Sequence, residues 1–190
     1  MHYLTVATAL VAVLAIANLL LALGIIRRLR EHTAELAELR GGSGFPGGAG
    51  DIALAAGAPA GAFTAESVDG RPVTLDTLGD HPLIGFFSPS CSPCKERLPA
   101  FIEYAASRPA GPDAILAVVT GTPETAADLV EQLLPVATVV VEPDQGPVQQ
   151  AFQVTGFPVF MLVEDGVVRA SDYELTSISA RDAVVLPAAG

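Results

Sequence analysis

The chain has 190 residues, a length that suits one compact domain plus an additional segment and excludes two full-sized domains. Apolar residues make up 51% of the chain and charged residues only 16%, which excludes a wholly disordered protein. The formal net charge of −11 arises beyond residue 40, where six basic side chains stand against eighteen acidic ones, and a surface this acidic excludes nucleic-acid binding because it repels phosphate backbones.

The N-terminal segment is apolar enough to cross a membrane. Residues 4–26 form an uncharged run of 23 residues dominated by Leu, Ala, Val and Ile. As a helix rising about 1.5 Å per residue, this run spans the roughly 30 Å hydrocarbon layer of a bilayer. A cleaved signal peptide would need a basic residue before a shorter apolar run, and residues 1–3 contain neither lysine nor arginine. We therefore expect residues 1–27 to form an uncleaved, single-pass anchor.

A charged and then low-complexity stretch follows the anchor. Leucines at near-helical spacing, separated by glutamates and arginines, predict a short charged stalk from residue 28. Residues 41–50 contain six glycines and one proline, and an Ala/Gly/Pro-rich composition continues to residue 61. Such a composition is typical of a flexible linker, so we assign residues 28–61 to a stalk and linker and residues 62–190 to the folded domain.

Short apolar runs alternate with helical segments beyond the linker. The predicted strands cover residues 62–67, 71–75, 82–88, 114–120, 137–141, 159–163 and 167–170. The predicted helices cover residues 91–107, 122–134 and 147–152. Nearly continuous apolar strands that alternate with helices predict an α/β sheet covered on both faces, with antiparallel strands at its end.

The two cysteines of the chain stand in a Cys-Ser-Pro-Cys sequence at the start of the first predicted helix. Two intervening residues in a first helical turn bring the sulfurs close enough for a reversible disulfide. Because the helix dipole and free N–H groups favour negative charge there, we expect the pKa of Cys91 to lie below that of an ordinary thiol. Cys91 would attack as a thiolate, and Cys94 would resolve the mixed disulfide. Pro93 stiffens the turn, and Lys95 adds a nearby positive charge.

Other interpretations of the cysteine pair are a structural disulfide, two core thiols or a metal site. Two thiolates do not complete a tetrahedral site, and His2, His32 and His81 are all remote from the motif in sequence. A metallochaperone would need a histidine or methionine close by, and the methionines are Met1 and Met161. The strand-CxxC-helix context favours redox chemistry instead, and it requires no cofactor beyond the two thiols.

Two further classes of protein are alternatives. A peroxiredoxin would reduce peroxides with a lone attacking cysteine, usually three residues after a threonine and seven after a proline. Ser88 and Ile84 stand in those places, which disfavours this class. A non-catalytic interaction module of the same fold would lack the paired thiols.

Residues 86–95, Phe-Phe-Ser-Pro-Ser-Cys-Ser-Pro-Cys-Lys, are followed by Pro99 and, about sixty residues later, by Gly-Phe-Pro at 156–158 before a predicted hairpin. This pattern resembles the thioredoxin superfamily over about residues 52–172. More narrowly it resembles the membrane-anchored TlpA/ResA-type thiol-disulfide oxidoreductases, and within them the MauD-type proteins. The resemblance implies a thioredoxin fold, in which helices flank a mixed central sheet.

The resemblance also implies roles for individual residues. Cys91 is similar to the family's nucleophile and Cys94 to its resolving thiol. Pro158 is similar to the cis-proline that faces the disulfide, and a cis bond there exposes the backbone of Phe157 for pairing with a substrate strand.

Several positions depart from the family's pattern. Ser90 stands where many thioredoxins have tryptophan, and Gly85 stands where many have a buried aspartate that assists proton transfer. Arg97 replaces the glutamate that many TlpA-type proteins carry three residues after the second cysteine, and Glu96, one position earlier, is the candidate substitute. The stretch from Glu174 matches the family's last amphipathic helix poorly, so we expect it to be loosely packed.

The predicted function is disulfide exchange with protein substrates by a membrane-anchored enzyme, with the reductase direction favoured and a membrane-bound or soluble redox partner. The orientation in the bilayer has two readings. Arg27, Arg28 and Arg30 directly follow the span, and the positive-inside rule places that flank in the cytoplasm. The anchored relatives work outside the membrane, however, so we expect an extracytoplasmic domain and keep the cytoplasmic face as the alternative.

Overall fold

The structure is a computed structural model that describes residues 49–185, all of which belong to one compact unit of the chain, Gly44–Gly190. The predicted anchor and stalk, with Arg27, Arg28 and Arg30, lie outside the described residues, as do the first part of the predicted linker and residues 186–190. Within residues 49–185, no helix is both long and apolar enough to cross a membrane.

Strands and helices alternate in the order that the apolar runs predict, apart from an additional helix at the end. The strands are β1 (Ala65–Glu66), β2 (Pro72–Val73), β3 (Leu83–Phe87), β4 (Ile115–Thr120), β5 (Thr138–Glu142), β6 (Val159–Glu164) and β7 (Val167–Asp172). The α-helices are α1 (Ser92–Ser107), α2 (Pro123–Leu133), α3 (Pro147–Ala151) and α4 (Leu175–Val185). Short 3-10 turns cover Ala49–Asp51, Leu75–Leu78 and Pro112–Ala114.

The central sheet is mixed. Within the described residues it has five strands in the order β5-β4-β3-β6-β7. Strands β3, β4 and β5 are parallel, β6 is antiparallel to β3, and β7 is antiparallel to β6. Every residue of β3 is buried because both faces of the sheet are covered, which explains the continuous apolar sequence of this strand. This is the α/β thioredoxin-like fold that the sequence predicts.

The two faces of the sheet are covered by different elements. Helices α1, α2 and α4 pack on one face, and three phenyl rings lie at the centre of that layer: Phe87, Phe101 and Phe160. The rings of Phe101 and Phe160 stack with their centroids 5.6 Å apart. On the other face, α3 packs together with residues from the N-terminal end of the domain. The cysteine-bearing helix α1 therefore lies over a layer of aromatic rings.

The domain begins earlier than the glycine-rich composition predicts. Residues 49–61, here called the N-terminal strap, were expected to belong to a flexible linker, yet they pack along the domain. The N–H of Leu54 donates to the Phe152 carbonyl (2.9 Å), and the N–H of Ala60 donates to the Gly166 carbonyl (2.8 Å). Small residues let the strap backbone approach the domain closely, which is why a linker-like composition is compatible with an ordered segment.

The C-terminal stretch is also better packed than expected. It forms helix α4, in which Ile178 is fully buried, so the expectation of loose packing is wrong for this helix. Asp182 is buried as well and receives two hydrogen bonds from the Arg108 guanidinium, at 2.8 and 3.0 Å. The hydroxyl of Tyr104 donates to the same carboxylate. Burial, together with this hydrogen bond, raises the pKa of Tyr104 well above its usual value. This polar network joins α4 to α1.

Candidate active site

The two cysteines lie where the central strand β3 leads into helix α1. Cys91 is the N-cap residue of α1, with extended backbone angles (φ −89°, ψ 111°), and the N–H of Cys94 donates to its sulfur over 3.2 Å. The Cα atoms of the two residues are 5.3 Å apart, and their sulfurs form a disulfide. An N-cap side chain usually accepts this hydrogen bond through oxygen, and here the sulfur of Cys91 takes that place. The same four residues therefore start the helix and close the disulfide.

The first turn of α1 is shaped by Pro93. Its missing N–H costs nothing there, because the first N–H groups of a helix have no intrahelical acceptor. The helix N-terminus concentrates partial positive charge next to Cys91, which favours the thiolate form of its side chain once the disulfide is reduced. Lys95 and Glu96 follow in the next positions and are exposed. The supporting roles assigned to Pro93, Lys95 and Glu96 stay predictions.

The two sulfur-bearing side chains differ in access. Cys94 is fully buried in the core cluster that contains the aromatic layer. Cys91 packs against this cluster and is only partly buried. Of the two cysteines, Cys91 is therefore the one that a large molecule can contact. The geometry agrees with the assignment of Cys91 as the attacking thiol and Cys94 as the resolving thiol, which itself stays a prediction.

The segment before β6 faces the disulfide. Phe86 pairs with Val159 across the sheet, so the residues after β3 and the residues before β6 meet at the same edge. The carbonyl oxygen of Phe157 lies 3.4 Å from the sulfur of Cys91, and the peptide bond between Phe157 and Pro158 is cis. Pro158 is buried, and Phe157 is partly buried. The structure thus brings both predicted substrate-binding residues to the cysteine pair.

Arg97, which stands where many TlpA-type proteins have a glutamate, pairs with a residue outside the cysteine motif. Its guanidinium forms an ion pair with Glu174 and lies 6.0 Å from the centroid of the Tyr173 ring. The hydrogen bond to Glu174 raises the pKa of Arg97, and the same bond lowers the pKa of Glu174. Arg97 therefore ties α1 to the chain just before α4 and supplies no proton acceptor for the cysteines.

Aromatic rings fill the space beside Gly85, the position at which many thioredoxins have a buried aspartate. A Cβ atom added to Gly85 would lie 2.9 Å from ring atoms of both Phe101 and Phe87. Those two rings pack edge to face with centroids 5.1 Å apart. No room is left for a carboxylate, because real Cβ atoms do not approach other heavy atoms this closely. Among residues 49–185, no carboxylate hydrogen-bonds to the sulfur of Cys91 or Cys94.

One neighbour of the site was not predicted from the sequence. Ile52 of the N-terminal strap accepts a hydrogen bond from the N–H of Thr155 (2.7 Å) and packs against Gly156, directly before Phe157. The two contacting segments are 103 residues apart, and Ile52 lies in an Ala/Gly-rich stretch. No local pattern therefore indicates this contact.

Metal binding by residues 49–185 would require a cluster of side chains that can act as ligands. There, no group of three or more His, Cys, Asp or Glu side chains is placed to hold a metal ion. Met161 is buried within β6, and His81 lies 3.6 Å from Glu164 at the end of β6 that is remote from the cysteines.

Comparison with known proteins identifies the family. Residues 56–171 match the AhpC/TSA family, and the chain belongs to this family. No curated protein matches the chain.

Solved structures with the same fold include three bacterial thiol-disulfide proteins. The thioredoxin domain of a thiol-disulfide oxidoreductase from Bacteroides vulgatus is 24% identical, with a TM-score of 0.54, over 66% of this chain and 98% of that one. A secreted Mycobacterium tuberculosis disulfide oxidoreductase, homologous to E. coli DsbE, is 21% identical (TM-score 0.54; 64% and 95% covered). A thio-disulfide isomerase from Thermus thermophilus is 21% identical (TM-score 0.57; 72% and 99% covered). At these identities the likeness establishes the fold.

The close packing around Gly85 leads to a stability prediction. Gly85→Ala forces a methyl group against the rings of Phe87 and Phe101, and overpacking of this kind costs about 1–3 kcal/mol of unfolding free energy. Gly50→Ala is the matched control, because its added Cβ would make an ordinary 3.6 Å contact with Ala55. Denaturant unfolding of the full chain should show a lower midpoint for Gly85→Ala alone. Equal midpoints for both variants would contradict the described ring packing.

Proposed function

We propose that this protein is a thiol-disulfide oxidoreductase that exchanges disulfides with protein substrates through Cys91 and Cys94. The observation that carries the proposal is the hydrogen bond from the Cys94 N–H to the sulfur of Cys91 at the start of α1. It places one partly exposed sulfur at a helix N-terminus, where a thiolate is stabilised, with a second sulfur within disulfide distance behind it.

The proposed reaction proceeds in two exchange steps. In the reduced protein, the Cys91 thiolate attacks one sulfur of a client disulfide, forms a mixed disulfide and displaces the client's other sulfur as a thiolate. Cys94 then loses its proton and attacks the sulfur of Cys91, which releases the second client thiolate and forms the Cys91–Cys94 disulfide. The client gains two electrons and the protein loses two. Run backwards, the same steps oxidise a client dithiol.

The proton of Cys94 needs an acceptor, and the interior formed by residues 49–185 places no carboxylate beside its sulfur. The rings of Phe87 and Phe101 occupy the space beside Gly85, and Arg97 stands where many TlpA-type proteins have a glutamate. The thiolate displaced from the client, or water at the site's edge, therefore takes this proton. In this proposal the base for the resolving step comes from the client or from water.

Substrate pairing is proposed for the backbone of Phe157. Its carbonyl oxygen lies beside the attacking sulfur, at 3.4 Å, where an extended client segment would meet both groups at once. Backbone pairing of this kind binds many client sequences, because it does not read side chains.

The direction of exchange is proposed to be reductive, as the resemblance to the anchored TlpA/ResA-type proteins favours. A membrane-bound or soluble redox partner would then return electrons to the Cys91–Cys94 disulfide. The reduction potential of the pair decides the direction of exchange. That potential depends on how strongly the fold stabilises the Cys91 thiolate.

Peroxide reduction is the second candidate, and the residues before Cys91 argue against it. Ile84 is buried within β3, where a peroxiredoxin would have a proline, and Ser88 replaces the threonine. The hydroxyl of Ser88 lies 3.1 Å from that of Ser90. A fully buried second cysteine only three residues from the first also suits exchange with a disulfide.

Cysteine substitutions test the order of attack. Cys94→Ser should accumulate a mixed disulfide between Cys91 and a disulfide-bonded peptide, because the resolving thiol is missing. Cys91→Ser should form no adduct, since Cys94 is buried. Non-reducing mass spectrometry of the full chain after mixing with the peptide measures both outcomes.

Wild-type protein, treated with the same peptide, is the control. Wild-type protein should release the reduced peptide and retain an intramolecular disulfide. Adducts on Cys91→Ser as abundant as those on Cys94→Ser would reverse the assignment. Oxidation of reduced wild-type protein by stoichiometric hydrogen peroxide faster than by the peptide would favour the peroxide reaction.

We also propose that residues 1–27 anchor the protein in the cell membrane and that the domain lies on the extracytoplasmic side. Support comes from the uncharged 23-residue run and from the resemblance to anchored exchangers that work where disulfides persist. Arg27, Arg28 and Arg30 argue for the opposite orientation.

A reporter fusion tests the orientation. A phosphatase that is active only outside the cytoplasm is fused after Gly190 of the full chain, and we expect an active enzyme. A stable but inactive fusion would place the domain in the cytoplasm. A parallel fusion to a reporter active only in the cytoplasm is the control, and it should give the opposite result.

A further inference from the structure

We infer that the N-terminal strap positions the substrate-binding loop, residues 155–158, and that Ile52 is the positioning residue. This inference rests on the proposed function, because the loop matters only if a client segment pairs beside Cys91. It gives the segment that leads toward the predicted anchor a direct physical connection to the site.

The backbone of Ile52 holds the start of the loop. Its carbonyl oxygen accepts a hydrogen bond from the Thr155 N–H at 2.7 Å and a longer one from the Thr155 hydroxyl at 3.3 Å. Two donors of one residue thus converge on a single strap carbonyl. This fixes where the chain enters the loop.

The side chain of Ile52 covers the next residue. A Cβ atom added to Gly156 would lie 3.2 Å from three carbons of Ile52: Cβ, Cδ1 and Cγ2. That separation is shorter than ordinary van der Waals contact, so the strap occupies the space that any side chain at position 156 would need. A methyl group at position 156 would therefore have to push Ile52 and the loop apart by a few tenths of an ångström.

The residue that follows Gly156 in the loop lies next to the sulfur of Cys91. Gly156 is bonded to Phe157, whose carbonyl oxygen is 3.4 Å from the sulfur of Cys91. Ile52 and Phe157 both pack against the same apolar cluster. A displacement at Gly156 therefore moves the Phe157 carbonyl relative to Cys91.

The strap itself is held along its length, so Ile52 is a fixed support. Leu54 donates its N–H to the Phe152 carbonyl at 2.9 Å. Gly57 donates to the Val168 carbonyl at 2.8 Å, and the Val168 N–H donates back to Ala58 at 2.9 Å. Because these bonds anchor the strap to β7 and to the end of α3, it resists displacement by the loop.

If Ile52 acts by positioning the loop, two kinds of reaction at Cys91 should respond differently to a change at the strap. Exchange with a peptide disulfide needs the Phe157 backbone in place, whereas a small alkylating reagent needs only the Cys91 thiolate. A loop that is displaced but folded should lose the first reaction and keep the second. A general loss of stability would not separate the two.

The test is a double-mutant cycle in the full chain with Gly156→Ala and Ile52→Ala. The readouts are kcat/KM for exchange with a disulfide-bonded peptide and the rate at which iodoacetamide alkylates Cys91 in the reduced protein. Gly156→Ala should lower kcat/KM about tenfold, because small misplacements of a substrate-positioning group have large effects on rate. Its alkylation rate should change less than about twofold.

The second substitution should rescue the first. Ile52→Ala removes the atoms that the new methyl group meets, so the double variant should regain about fivefold in kcat/KM over Gly156→Ala. Ile52→Val, which removes only the Cδ1 methyl, should give a smaller recovery and serves where the alanine variant folds poorly. Leu54→Ala is the matched control: it truncates a more deeply buried side chain of the same strap, away from Gly156, and should give no rescue.

The outcomes are distinguishable. Rescue by Ile52→Ala but not by Leu54→Ala supports the inference. Effects of Gly156→Ala and Ile52→Ala that simply multiply, or equal rescue by Leu54→Ala, would overturn it while leaving exchange activity established. A wild-type protein that alkylates at Cys91 but exchanges no disulfide would overturn the proposed function, and the inference with it.

Discussion

The hydrogen bond from the Cys94 amide to the Cys91 sulfur is the interaction on which the site depends. It makes Cys91 the first residue outside α1 and Cys94 a member of the first turn, so one sulfur stays at the surface and the other enters the core. The central strand β3 delivers the motif to the sheet edge, and β6 begins at the same edge with the Phe157 carbonyl beside the sulfur. A strand, a helix start and a loop thus converge on one atom.

The packing of the core beneath the motif explains why no carboxylate lies beside the cysteines in the described part of the chain. Gly85 packs against the rings of Phe87 and Phe101, and Arg97 pairs with Glu174. Neither of these two positions, at which many thioredoxins or TlpA-type proteins have an acid, supplies one here. An apolar layer stabilises the domain by burying aromatic surface, but it offers no proton acceptor to Cys94. The proposed transfer of that proton to the client or to water rests on this packing.

Local patterns in the sequence predict most of this architecture. Strand β3 reads as a continuous apolar run because both of its faces are buried, and the cysteine spacing marks the helix start. The strap and the last helix escape such patterns because their contacts are distant in sequence. Ile52 contacts Thr155 across 103 residues, and the buried Asp182 pairs with Arg108, which directly follows α1 and lies 74 residues away in sequence. Sequence composition therefore predicts weak packing for these polar or glycine-rich segments, although tertiary contacts hold them in place.

The most direct test of the account is the pH dependence of alkylation in the reduced full chain, with each modified cysteine identified by mass spectrometry. Stabilisation of the Cys91 thiolate by the helix N-terminus predicts that Cys91 reacts first, and that its rate reaches a plateau below the pH at which an ordinary thiol, with a pKa of about 8.5, is ionised. Equal rates at Cys91 and Cys94, or a Cys91 rate that still rises through that pH, would contradict the central claim.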